Sequence, residues 1–193
     1  SRAFPERFIT LIVTLIIEIP VLLMISGGSD RLCKEVGRTK YQLLMAFLPL
    51  SSAISGNVGL QCNALTIRAI SHIHVTTENY FVWLRTELGS SFMLGLSMGS
   101  VLGIVAYHAS GNDIIFAFTI FVAQFVSILT AGLTGTFAPL IITFLFHRDS
   151  GKWCGPLETA IQDIVGSFSM MILSYRLLIL LGPFEIDPKD TCG

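Results

Sequence analysis

Charge is scarce in this sequence. Of its 193 residues, 13% are Asp, Glu, Lys or Arg while 52% are hydrophobic; a soluble domain carries about 25% charged residues and depends on them to stay in solution. The scarcity is concentrated in long stretches. Residues 89–107, 114–146 and 164–175 hold no charge at all, and 8–26 holds only Glu18. The net charge of −1 offers no basic patch, which argues against a nucleic-acid partner. Cysteine is sparse as well. Cys33, Cys62, Cys154 and Cys192 stand alone with no CxxC pair, a spacing unsuited to a zinc cluster, so they read as incidental thiols. No Gly-x-Ser-x-Gly, HExxH or phosphate-binding glycine loop occurs, and no run of intramembrane histidines for haem, so an enzyme is not expected. His72, His74, His108 and His147 fall at the ends of apolar runs and read as interfacial side chains. There is no internal repeat, no low-complexity tract and no small-residue cleavage site after 8–26. The chain starts at Ser1 and not Met, which suggests a piece of something longer.

What the sequence has instead is apolar runs. A hydrocarbon core of about 30 Å needs about 20 such residues in a helix, and these runs are too long for the alternating strands of a membrane barrel. The fold expected is all-α and integral to the membrane. It has five transmembrane helices, at 8–26, about 43–73, 89–107, 114–146 and about 157–181. A short amphipathic helix within 74–88 falls between the second and third, with Thr77 as its N-cap and Tyr80, Phe81, Trp83 and Leu84 at the membrane surface. Segments 27–40 and 147–156 read as polar loops and 108–113 as a tight turn. The fourth run, at roughly 50 Å if helical throughout, is too long for one straight crossing, so Gly132, Gly135 and Pro139 are expected to bend or break it. Residues 1–182 form the membrane domain and 183–193 a polar, disordered tail. With the N-terminus inside, six Lys and Arg lie on inner segments and five on outer ones, a margin on which the positive-inside rule barely speaks.

Polar residues inside the runs need a reason. Asp163 is the sharpest case, because a carboxylate in the bilayer costs several kcal/mol unless it meets water, a cation or a partner. Helical spacing puts Thr159, Asp163, Gly166 and Met170 on one face, with Glu158 and Gln162 stacked beside them. This reads as a cation site on a transport path; the plainer alternative is an ion pair between Asp163 and Arg68. The second run carries its own stripe within 51-SSAISGNVGLQCNALTIRAI-70. Ser52, Gly56, Gly59, Asn63 and Thr66 recur at steps of four and three, while Asn57 and Gln61 lie off that line, where they can brace the helix. Such a face serves either as a pore wall or as plain helix packing, since helices in lipid associate through small and polar residues. Gly95, Gly99 and Gly103 form a packing ridge, and Gln124, Ser127, Ala131 and Thr134 a milder contact face. Glu18 is either a structural contact or a second functional acid.

Two of these stretches resemble the MgtE family of magnesium channels. FLPLSSAISGNVGLQCNALTIRA has the family's proline (Pro49), its Gly-Asn-x-Gly-x-Gln core (Gly56, Asn57, Gly59, Gln61) and a later arginine (Arg68). DSGKWCGPLETAIQDIVG has its aspartate (Asp149), Gly-Pro (Gly155, Pro156), threonine (Thr159), aspartate (Asp163) and glycine (Gly166). Departures are Ser150 where the family has proline, Gln162 where it is usually smaller, and Glu158 where it tends to be neutral. The eukaryotic solute-carrier relatives of MgtE are the nearest alternative assignment.

The resemblance implies a multi-pass protein of the cell membrane, N-terminus cytoplasmic and C-terminus outside. It also implies a homodimer in the lipid bilayer with one pore lined by the second and fifth spans, carrying Mg²⁺ and possible other divalent cations such as Mn²⁺ and Co²⁺. The metal-recognising residues expected are Asp163, Thr159 and Glu158. Ser52, Gly56, Asn57, Gly59, Asn63, Gln162 and Gly166 are expected to line the pore, with Asp149 at its cytoplasmic mouth. The family's cytoplasmic N-terminal and CBS domains have no counterpart in this sequence. The rival mechanism is a proton- or sodium-coupled exchanger using Asp163 and Glu18. A non-transporting membrane scaffold is the bland alternative.

Overall fold

The computed structural model describes residues 3–147 and 150–181, and the elements within them are helices: α1 (Ala3–Val36), α2 (Arg38–Ser71), α3 (Tyr80–Ala109), α4 (Ile114–Leu140), a π-helical turn Ile141–Leu145, and α5 (Ser150–Leu181). Four segments are long and apolar enough to cross a membrane: α2, α3, Ile114–Leu145 and Cys154–Leu181. A shorter apolar stretch, Leu11–Gly27, lies within α1.

The connections differ from the sequence reading. Segment 27–40 is helix almost throughout, because no proline interrupts it and one residue makes the turn. Gly37 sits at φ 89, the left-handed region that only glycine enters freely; its N–H donates to the Cys33 carbonyl at 2.9 Å and its own carbonyl accepts from Tyr41. No separate amphipathic helix precedes the third span. The chain turns through 72–79, where the Asn79 side chain takes the Thr76 N–H at 2.7 Å and donates to the His74 carbonyl. Asn79 and not Thr77 precedes α3, which then runs unbroken through Gly89, since a lone glycine weakens a helix without ending it.

α4 starts on a firm cap, the Asp113 carboxylate accepting from Ile115 N and Phe116 N at 2.9 and 3.0 Å. It does not break at Gly132 or Gly135. The irregularity comes after Pro139, which has no N–H for the carbonyl four residues back, and the helix widens into the π turn at Ile141–Leu145. The expected loop 147–156 is helical from Ser150, with Pro156 inside α5.

α4 is the centre of the bundle. It packs against α2, α3 and α5, while α1 leans on α5 and more lightly on α2. In lipid, apolar side chains gain little by meeting, so close backbone approach carries the association. The ridge of Gly95, Gly99 and Gly103 on α3 supplies that approach: an added Cβ would stand 3.0, 3.2 and 3.2 Å from Phe125, Phe121 and Phe121 of α4. On α2, Gly59 meets Gly135 of α4 backbone to backbone, and Gly132 lies against Ser91 of α3. Toward the Gly37 end, Leu44, Phe47, Phe116, Ile120, Met170 and Leu178 fill the core, with Phe47 and Phe116 edge to face at 6.2 Å.

Candidate functional site

Asp163 lies midway along α5. Its neighbour across the helix interface is Ser52 of α2, whose hydroxyl donates to Asp163 Oδ1. Arg68 is not its partner: it is exposed near the far end of α2, about 24 Å along the helix from Ser52 at 1.5 Å per residue. Both Asp163 and Ser52 line an open cavity of about 620 Å³ between α1, α2 and α5. Glu18 of α1 lines it too, together with Pro49 of α2 and Ser167 of α5. The wall is otherwise aliphatic, with Leu15, Leu22 and Leu48 among its members. Pro49 leaves the Met45 carbonyl of α2 without its helical donor, on a wall that Met45 and Pro49 share.

The other expected site residues divide into three groups. Thr159, one turn from Asp163 on α5, is exposed, and its hydroxyl donates to the Gly155 carbonyl at 3.2 Å. Gly56 is half-buried with open space where a Cβ would be, and Asn57 and Gln61 are exposed on α2, turned away from the bundle formed by the described residues. The second group is turned inward. Glu158 and Gln162 are fully buried; Glu158 Oε1 accepts from Thr134 of α4 at 2.8 Å and from Gln162 Nε2 at 3.2 Å, while Gln162 Nε2 also reaches Thr134 at 2.6 Å. The Glu158 carboxylate occupies the notch that Gly59 leaves in α2. Asn63 is buried with its side-chain oxygen unpaired among the described residues, and Gly166 packs near Ser52, Ser55 and Ser127. The third group is Asp149, which lies outside the described residues, as does the 183–193 tail.

The small-residue stripe of α2 is therefore shared. Ser52 opens on the cavity, Gly59 and Asn63 are interior, and Thr66 accepts from the Trp83 indole of α3 at 3.1 Å. The helical face expected to hold Asp163, Gly166 and Met170 together is also split, since Met170 is fully buried in the core. Three features lay beyond the sequence reading. Glu87 is buried on α3, beside the Cys62 thiol of α2, in a segment read as a surface helix. Lys40 Nζ and Asp113 Oδ2 form an ion pair at 2.5 Å joining α2 to the start of α4. Cys33 is disulfide-bonded, so it is not the incidental thiol its isolation in the sequence suggested. A disulfide signal could have been sought in the polar position of Cys33 at a helix end.

Comparison with known proteins adds to this geometry. A family model described as "MgtE: Divalent cation transporter" matches residues 48–173, well over half of the chain, and takes in Ser52, Gly59, Glu158 and Asp163. A curated relative, "Magnesium transporter MgtE" of Bacillus subtilis (strain 168), is 27% identical over 122 residues, covering 63% of this chain and 27% of the relative. The chain thus spans about a quarter of that protein's length. With several helices long and apolar enough to cross a bilayer and the match over 48–173, this multi-pass membrane chain belongs to the MgtE family of divalent cation transporters.

Proposed function

We propose that this chain moves Mg²⁺ across the membrane along a path at a homodimer axis lined by α2 and α5, with Asp163 recognising the hydrated ion. The observation that carries this reading is Asp163 itself: a carboxylate in the middle of an apolar helix, bonded to a serine and on the wall of a cavity. A charged side chain at that depth costs about 3 kcal/mol or more, a cost that a passing cation offsets. Mg²⁺ is small, sheds water reluctantly and keeps several waters when bound. Two Asp163 carboxylates facing one another would hold it through those waters, with Thr159 beside them, and would repel anions.

Two further observations support the assembly and its orientation. Asn57 and Gln61 are exposed in mid-α2, and an amide facing hydrocarbon without a partner costs several kcal/mol. A second copy, or water in the path, would cover that face. Disulfides persist in oxidising compartments, so the disulfide at Cys33 supports an outward-facing Gly37 end. With α1 taken as a fifth crossing, that orientation puts the N-terminus inside and the C-terminus outside.

Reconstituted in liposomes, Asp163→Ala is expected to lose Mg²⁺ flux. Uptake at the wild-type rate by that variant sinks the assignment. A coupled exchanger is the second reading, favoured by one observation: Glu18 lines the same cavity as Asp163. Flux that stops when a sodium or proton gradient is collapsed, and falls in Glu18→Gln, selects the exchanger. Flux indifferent to both selects the channel.

A further inference from the structure

Asp163 reaches the cavity wall only while α5 keeps its rotation and depth against α2. Turning a helix by a single residue swings each side chain about 100°, enough to carry the carboxylate off that wall. We propose that Glu158 is the positioning residue that prevents this. Its carboxylate seats in the Gly59 notch of α2, tied to Thr134 of α4 and to Gln162 of α5, and it acts through shape and hydrogen bonding and not through charge. This inference rests on the reading of Asp163 as the ion-recognising group.

The geometry places three helices at one level. Gly59 touches Gly135 of α4 through its backbone and Glu158 of α5 through its missing side chain. Thr134, next to Gly135, donates to Glu158 Oε1, and Gln162 closes the triangle by reaching both. A second hold lies further along α5, where Gly166 packs near Ser52, Ser55 and Ser127. Asp163 falls between the two holds. Glu158 sits about 140° around the helix from Asp163, so seating one inward turns the other toward the cavity between α1, α2 and α5. Glu158 is fully buried, and among the described residues no three acidic, histidine or cysteine side chains gather into a metal site. What holds Glu158 is the notch beside Thr134 and Gln162, a space that only glycine leaves at position 59.

The test measures Mg²⁺ flux in liposomes for the full chain and for Asp163→Ala, Glu158→Gln, Glu158→Ala, Gly59→Ala, Thr134→Val and the pair Gly59→Ala/Glu158→Ala. Glutamine keeps the acceptor for Thr134 and Gln162, so Glu158→Gln should stay within about twofold of wild type in half-saturating Mg²⁺. Glu158→Ala and Thr134→Val should each raise half-saturating Mg²⁺ by about tenfold, as small misplacements of a binding group do. Gly59→Ala should cost as much alone but add less than about twofold once Glu158 is alanine, because its Cβ then meets no carboxylate. Glu158→Gln as impaired as Glu158→Ala, Thr134→Val unchanged, or Gly59→Ala equally costly in both backgrounds overturns the inference. The two readings fail separately. Unimpaired flux in Asp163→Ala removes the ion site, while melting temperatures of the Gly59 and Glu158 variants still judge the notch: a loss for Gly59→Ala that persists in the Glu158→Ala background overturns it.

Discussion

Gly135 and Gly59 show how little room a single position has in this bundle. A Cβ on Gly135 would fall on the Gly59 carbonyl, and backbone cannot step aside as a side-chain end can. Gly135→Ala is therefore expected to cost about 1–3 kcal/mol, the usual penalty of overpacking, read as a lower melting temperature in detergent; Gly56→Ala, facing open space in mid-helix, should not lower that temperature and should raise it slightly, because alanine favours the helix. At this scale the sequence was legible where a residue conflicts with its surroundings. Asp163 announces itself as a charge among apolar residues, and Gly95, Gly99 and Gly103 by their repeat. Partners were not legible. That Asp163 meets Ser52 and not Arg68, or that Glu158 turns inward, depends on which helices adjoin and at what depth, which no spacing within one helix encodes. Glu87 was missed for the same reason: its burial comes from neighbouring helices, with Cys62 of α2 beside it, and not from its own segment.

Among the elements, α4 depends on what holds its start. Asp113 caps the helix and pairs with Lys40 of α2. Burial raises its carboxyl, but the Lys40 hydrogen bond, the Phe116 N–H, the Lys40 charge and the Ile115 N–H outweigh it and leave the group below its ordinary value of 3.8. A lowered folded value means that the contribution to stability is fully present above the unfolded value and is lost as pH falls through the folded one. Asp113→Ala should lose about 1 kcal/mol from the cap, and Asp113→Asn, which keeps an accepting oxygen, less. Melting temperatures of wild type and Asp113→Ala should differ at pH 7 and converge as the pH drops below 3.8; a constant gap would contradict the role of the carboxylate. Elements themselves were readable from apolar run length, but their ends were not. Polarity marked 27–40 as loop, yet a helix leaving the bilayer loses nothing by continuing into water, and Gly37 alone makes the turn.

For the whole molecule, the described helices leave one face of α2 with polar residues and no cover, namely Asn57 and Gln61. If a second copy supplies the cover, Asn57→Cys should form a cross-linked dimer in membranes under mild oxidation in a background with Cys62 and Cys154 replaced by alanine. A cysteine at lipid-exposed Leu96 on α3 should not. Monomer in both lanes would place the ion path within a single chain. The overall architecture was largely legible, because the bilayer forces helices on any long apolar run; the wrapping of three helices around α4 was not.

That central place of α4 bears on how the protein is made. α4 holds no charged residue from Ile114 to Leu140 and belongs to the most apolar of the four spanning segments. α2 and α5 carry the serines, amides and acids that membrane insertion penalises. α4 can therefore enter the bilayer unaided as it leaves the ribosome, and α2, made before it, and α5, made after it, gain a surface on which to bury their stripes. A weakened α4 would then appear as poor biogenesis, with degraded or mis-threaded protein, before any loss of ion flux could be measured.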